Sequence, residues 1–357
     1  MKLPPLPVFF PDATRGLIKS LDTTDIENTK TNGVLVNTYH LLKDLGKDYI
    51  KARGGIKKFM NWDGYVISDS GGFQVGSLIK MNPTKGHVSN RGVLFKPEGE
   101  KQVMLTPENS IEFQMELGSD MVVVLDDFTD PNATYEEAKI SVDRTISWAK
   151  RSKEEFLRIV KDKNFTDNNR PLILGVVQGG YYQDLRKYCA EELVKIGFDG
   201  FGYGGWPMTK EGTFDFESAQ TIADNTPEDY LLYGLGIGKP EDVVALSKMG
   251  YDIFDCVLPT RDARHGRAYV FNSSKIDEVN LDGDFYHFVS LTKGKMMDDD
   301  SKLSDVCDCL TCSRYTRSYL AHLFKTKDPI SGRLITIHNL RFYSILMEKI
   351  RELSVPK

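Results

Sequence analysis

Two aspartates far apart in this 357-residue chain occupy the same kind of position, each at the end of a short β-branched run. Asp69 opens Asp69-Ser70-Gly71-Gly72 just after Tyr65–Ser68, and Asp255 lies within Ile253–Val257. A pair of acids suits substitution at an anomeric carbon with retention, where one carboxylate is the nucleophile and a second group handles the proton. A third acid, Asp126, suits recognition instead. An ionised carboxylate accepts two hydrogen bonds, which matches the N1–H and exocyclic amine of guanine, while Gln178 and a glycine amide could serve its O6. A separate cluster, Cys307-x-Cys309-x2-Cys312 with His338 after a 25-residue gap, has the outline of a closed tetrahedral zinc site. Three thiolates and one imidazole fill all four positions, so one such ion per chain would hold structure and leave no place for a reacting water.

Residues this far apart need a scaffold that brings strand ends together. Eight apolar runs recur: Pro7–Phe10, Val34–Asn37, Tyr65–Ser68, Met121–Leu125, Leu172–Val177, Phe201–Tyr203, Leu231–Leu235 and Ile253–Val257. Helical patterns separate them, among them Pro107–Leu117, Tyr135–Lys161, Gln183–Ile196 and Pro240–Met249, each long enough for a crossover. This predicts an α/β fold, a (β/α)8 barrel over residues 1–290. The interval 75–105 breaks the rhythm and reads as an inserted hairpin around Pro97-Glu98-Gly99, and residues 291–357 read as a zinc-binding subdomain with a closing helix. In a barrel the polar residues after the runs share one rim: Tyr39-His40, Asp69-Ser70-Gly71-Gly72, Asp126-Asp127, Gln178-Gly179-Gly180, Gly204-Gly205 and Gly236, with Asp255 in the last run. Any one of these has a dull reading as a helix cap or a turn. Seven at one rim favour a shared site.

Composition constrains less. The hydrophobic share of 40% and charged share of 27% are ordinary for a globular chain, and no stretch approaches the ~20 apolar residues of a membrane span. With prolines breaking its apolar start, the chain is expected in the cytosol with Cys189 and Cys256 reduced. A net charge of −5 does not advertise a nucleic-acid partner, but its distribution does. From Ser313 to Lys357 nine Lys/Arg face three acids, which would give phosphates a docking face.

The segments SDSGGFQV (68–75), VLDDFTDP (124–131), GVVQGG (175–180), GLGIGKPEDV (234–243), IFDCVLPTRDARHG (253–266) and the cysteine cluster together resemble the tRNA-guanine transglycosylases of bacterial pattern, in order from about Leu6 to Glu352. The resemblance implies a pentosyltransferase that exchanges guanine in a tRNA anticodon loop for a 7-deazaguanine, a queuosine-type modification. Asp255 would attack the ribose C1′ and Asp69 would act as general acid/base. Asp126, Gln178 and Gly205, helped by Ser70, would read the base, with Phe73 and Leu235 sandwiching it. Arg261 and Arg264 would meet anticodon-loop bases and phosphates, and the basic end, with Arg314 and Arg317, the backbone. Partners on this reading are tRNA, free guanine and the free 7-deazaguanine, with no membrane; zinc is the implied metal.

Departures from the family pattern are Asp127-Phe128 after the recognition acid, Trp206-Pro207 after the glycine pair, and a loop to Lys210-Glu211 longer by one residue. The first strand also begins close to the start of the chain, without the family's preceding antiparallel sheet. A homodimer stays among the expected partners, and DNA is an alternative polynucleotide. A non-catalytic tRNA-binding subunit is the other reading, and three acids where a polyanion docks argue against it.

Overall fold

The structure, a computed structural model, describes residues 3–96 and 102–354. Its strands are β1 (Val8–Pro11), β2 (Gly33–Val36), β3 (Tyr65–Ser68), β4 (Gly86–Ser89), β5 (Gly92–Phe95), β6 (Val103–Leu105), β7 (Met121–Val123), β8 (Leu172–Val177), β9 (Gly200–Tyr203), β10 (Leu231–Gly234), β11 (Ile253–Cys256), β12 (Arg267–Phe271) and β13 (Tyr286–Ser290). Eight of them form one sheet in the order β1-β11-β10-β9-β8-β7-β3-β2, with the paired neighbours parallel. A bridge from Asp12 to Leu35, with Ala13 N–H donating to the Leu35 carbonyl at 2.7 Å, brings β2 back to β1 and nearly closes the barrel. The eight apolar runs of the sequence are these eight strands.

Parallel neighbours require long crossovers, and the helices supply them. Tyr135–Asp162 starts at a capping box between Thr134 and Glu137, and Pro107–Leu117 at one between Thr106 and Asn109, with Pro107 in its first turn. Gly118 ends the latter at φ +71°, a conformation glycine adopts without strain. Gln114 on this helix ties two barrel strands together from behind. It accepts from Ser68 Oγ at 2.9 Å and from Val123 N–H at 3.0 Å, and its amide donates to the Val123 carbonyl at 2.9 Å.

The insertion is a three-stranded antiparallel sheet, β4-β5-β6, rather than two pieces alone; its Pro97-Glu98-Gly99 turn lies outside the described residues. The sequence reading missed β4 because Gly-His-Val-Ser carries little β signal. The insertion is anchored to the long helix, where Trp148 Nε1 donates to the Asn90 carbonyl at 2.9 Å and Arg151 bonds both Asn90 and Arg91. The ribbon β12-β13 was also unforeseen. Beyond it the last helix, Ile330–Ser354, returns to the barrel: Phe342 stacks on Phe271 at 4.2 Å and Tyr343 packs against Phe9 at 4.3 Å. No described helix is long and apolar enough to cross a membrane.

Because Gln114 satisfies buried groups on β3 and β7, the strands that lead into Asp69 and Asp126, Gln114→Leu should leave Ser68 Oγ and both polar groups of Val123 unpaired. We expect a loss of about 3 kcal/mol in denaturant unfolding. A loss below about 0.5 kcal/mol would show that these groups find other partners.

Candidate active site and metal centre

Asp69 sits just past β3, and its carboxylate is held by the end of β2. Asn37 Nδ2 donates to it at 2.6 Å, Thr38 N–H at 3.0 Å and Gly71 N–H at 3.1 Å, while Thr38 Oγ1 donates to the Asp69 carbonyl. Asn37 also caps the helix Thr38–Asp44 through its Oδ1, so the side chain that starts the helix orients the acid. The sequence places Asn37 inside a strand, whereas it follows β2 as a helix cap; Tyr39, two residues on, is buried edge-on to Phe95. Asp255 on β11 pairs in register with Phe10 of β1. Tyr233 O–H donates to its Oδ1 at 2.6 Å and Gly236 N–H to the same oxygen at 2.8 Å. Among the described residues both bonds go to Oδ1.

Burial raises all three acids. Asp69 is pushed up to about 7, chiefly by desolvation, with Asp12 and Asp255 adding repulsion against the lowering effect of the Thr38 and Gly71 amides. Asp255 is raised to about 6 by desolvation, with Asp12 adding to it and the Gly236 and Tyr233 donors opposing. Asp126 is raised to about 6 by desolvation, with the Gln178 hydrogen bond opposing and the Asp127 charge adding to it. Asp12, at the end of β1, went unnoticed in the sequence because a lone Pro-Asp reads as a turn; here it faces the same pair of acids.

Farther round the rim Gln178 Nε2 donates to Asp126 Oδ2 at 2.6 Å, and Gln178 Oε1 accepts from Thr129 N–H at 3.2 Å. Gly205 lies beside them with φ +90°, and a Cβ there would stand 3.4 Å from Gln178 Oε1. Leu235 lies over Gly202, where a Cβ would come within 2.6 Å of it. Ser70 is buried, its Oγ accepting from Gly72 N–H at 3.2 Å. Phe73 is half exposed and meets Phe128 edge-on at 5.2 Å. Asp127 turns away from the rim to Arg144.

The basic end is less bare than its composition implies. Arg317 pairs with Asp299 at 3.1 Å, Arg333 with Asp25, Arg341 with Asp308 and Glu348, and Lys349 with Glu352. Arg314 is exposed, as is Arg261 on the helix Leu258–Arg264 that follows β11. Arg264 is partly buried, its guanidinium donating to the Thr260 carbonyl at 2.9 Å. Lys357 lies outside the described residues.

Cys307, Cys309, Cys312 and His338 converge, their ligand atoms all within 4.8 Å of one another. His338 Nε2 lies 2.7 Å from the Tyr269 carbonyl, which makes Nε2–H the donor and leaves Nδ1 facing the thiols, 3.2 Å from Cys312 Sγ. All four residues are buried, and the donor set fits a metal ion.

A profile of the family described as "Queuine tRNA-ribosyltransferase" matches residues 4–353. Curated proteins of the same description are similar over 97% of the chain: one from Actinobacillus pleuropneumoniae serotype 3 (strain JL03) at 38% identity across 84% of its own length, and one from Psychrobacter cryohalolentis at 39% across 85%. A third, from Aliivibrio fischeri (strain MJ11), is 37% identical across 86% of its length.

Two outcomes follow from the geometry. An acid that titrates near 3.8 unfolded and about 7 folded keeps its proton longer in the folded state, so its contribution to stability declines as pH rises between those values. Asp69→Asn should therefore raise the melting temperature at pH 7.5 and leave it nearly unchanged at pH 4; a lowered value at pH 7.5 would contradict the desolvation argument. Cys309→Ala should reduce bound metal, read by elemental analysis, and lower the melting temperature, because a closed four-ligand site contributes folding free energy. Full metal content in that variant would remove Cys309 from the ligand set.

Proposed function

Because the chain belongs to the queuine tRNA-ribosyltransferase family, a family of pentosyltransferases, we propose that it exchanges guanine in a tRNA anticodon loop for a 7-deazaguanine. The observation that carries this reading is the pair of desolvated carboxylates, Asp69 and Asp255, on one rim with the Asp126–Gln178 hydrogen bond.

Asp255 Oδ2, the oxygen without the two donors, attacks C1′ of the ribose as the C1′–N9 bond breaks. Asp69, raised to about 7 and so substantially protonated at neutral pH, gives its proton to the departing base. In the second half the incoming base returns a proton to Asp69 as its N9 attacks C1′ and releases Asp255. The Asp126 carboxylate accepts from the N1–H and exocyclic amine, and the Gly205 N–H and Gln178 meet the O6. Phe73, braced by Phe128, and Leu235 flank the ring, with Ser70 beside it. Arg261, Arg264 and Arg314 meet the polynucleotide; Arg317 would have to leave Asp299 to join them.

The metal is Zn2+ on this reading, one per chain, held by Cys307, Cys309, Cys312 and His338. Its contribution is structural. Burial of the four ligands and the carbonyl behind His338 support that assignment.

Asp255→Asn should abolish both labelled-guanine exchange into tRNA and the protein–tRNA adduct that survives denaturation, with non-covalent tRNA binding retained. Turnover near the parent rate would refute Asp255 as nucleophile. Run in parallel with duplex DNA, the same assay gives label in tRNA alone if the polynucleotide assignment is right.

A further inference from the structure

Arg186 is a cation the proposed chemistry does not use, and it is only 1% exposed. Among the described residues it forms no ion pair. An isolated buried charge is expensive, so its bonds to neutral groups must be well made. Nε donates to the Gly180 carbonyl at 2.8 Å, and one terminal nitrogen reaches the Val177 carbonyl at 3.2 Å and the Gly204 carbonyl at 3.1 Å. The guanidinium carbon lies 4.7 Å from the centre of the Tyr203 ring.

The Gly180 and Gly204 carbonyls belong to the two glycine turns beside Asp126 and Gln178, and Val177 ends β8 just before Gln178. Gly180 (φ +59°) and Gly205 (φ +90°) hold backbone angles that leave the turns without intrinsic rigidity. The turns also press on the arginine stem: a Cβ at Gly179 would fall 2.6 Å from Arg186 Cγ. A peptide unit is planar, so holding the Gly204 carbonyl fixes the direction of the Gly205 N–H at the other end of the same plane. In the same way the Val177 carbonyl fixes the Gln178 N–H.

We infer that Arg186 is a positioning residue for base recognition: by holding the Gly204 carbonyl from behind, it aims the Gly205 N–H at the O6 of the bound purine. This rests on the proposed pocket, and extends it from the groups that touch the base to the one that points them. Only a planar guanidinium reaches three carbonyls at fixed angles; a lysine ammonium keeps the charge but loses the fork.

The test is Arg186→Lys in the full chain, with guanine as substrate and 2-aminopurine, which lacks O6, as competitive inhibitor. We expect KM for guanine to rise about tenfold, the scale of one hydrogen bond lost at a desolvated site, with kcat at saturating guanine within about threefold. The inhibition constant of 2-aminopurine and the tRNA affinity should change less than about twofold. An unchanged KM for guanine, or an equal loss for both bases, overturns the inference. Should the variant lose its melting transition, the parent protein decides: saturation with guanine shifts an arginine Nε–H signal protected from exchange if Arg186 sets the pocket wall, and the absence of any such shift overturns it. Failure of the parent to exchange guanine would instead sink the pocket reading itself.

Discussion

Carboxylates buried at a barrel rim without a cation beside them are the constraint on which the site depends. Asp69, Asp126 and Asp255 each lose hydration, and among the described residues none forms an ion pair. A cation at contact distance opposes the rise that burial causes and can outweigh it, as Arg170 does for Asp199 elsewhere in the chain. Neutral donors do less: they orient an acid while leaving burial to dominate, and all three remain raised. Two acids of one chemical type can then take up different tasks because their donors differ in number and in which oxygen they occupy.

The barrel provides those donors through adjacency of strand ends. Asn37 and Thr38 follow β2 and serve Asp69 after β3; Tyr233 on β10 and Gly236 just past it serve Asp255 on β11; Gln178 follows β8 and serves Asp126 after β7. Each acid is thus held by the neighbouring strand, and a shift of register anywhere in the sheet would separate an acid from its donor. Gln114 and the closing bridge from Asp12 to Leu35 are therefore parts of the site's geometry as much as of the fold.

The eight strands were legible because short β-branched runs alternating with amphipathic stretches have few other solutions. The acids were legible because Asp69 and Asp126 each followed such a run and Asp255 lay within one. What escaped was whatever depends on neighbours in space: Asn37 as the holder of Asp69, Asp12 facing both acids, Tyr233 behind Asp255. None of these has a local signature, since Asn before a helix reads as a cap and Tyr in a strand as core. The basic end misled for the complementary reason. Counting charges from 313 onward could not see that Asp299, Asp25 and Asp308, all outside that segment, fold back onto it.

That neutralisation bears on how a polyanion could approach. An acid-rich rim repels phosphate, and three ionised carboxylates would oppose docking where docking is needed. Their raised titration softens the conflict: with Asp69 near 7 and the other two near 6, part of that charge is carried as bound proton close to neutral pH. The exposed cations then need only flank the acids. Arg261 follows β11 within a few residues of Asp255, while the last helix, carrying His338 of the metal centre, packs on β1 and on the helix that bears Arg261 and Arg264. The Cys3His cluster thereby bears on the site mechanically, as the far anchor of the helix against which those arginines rest.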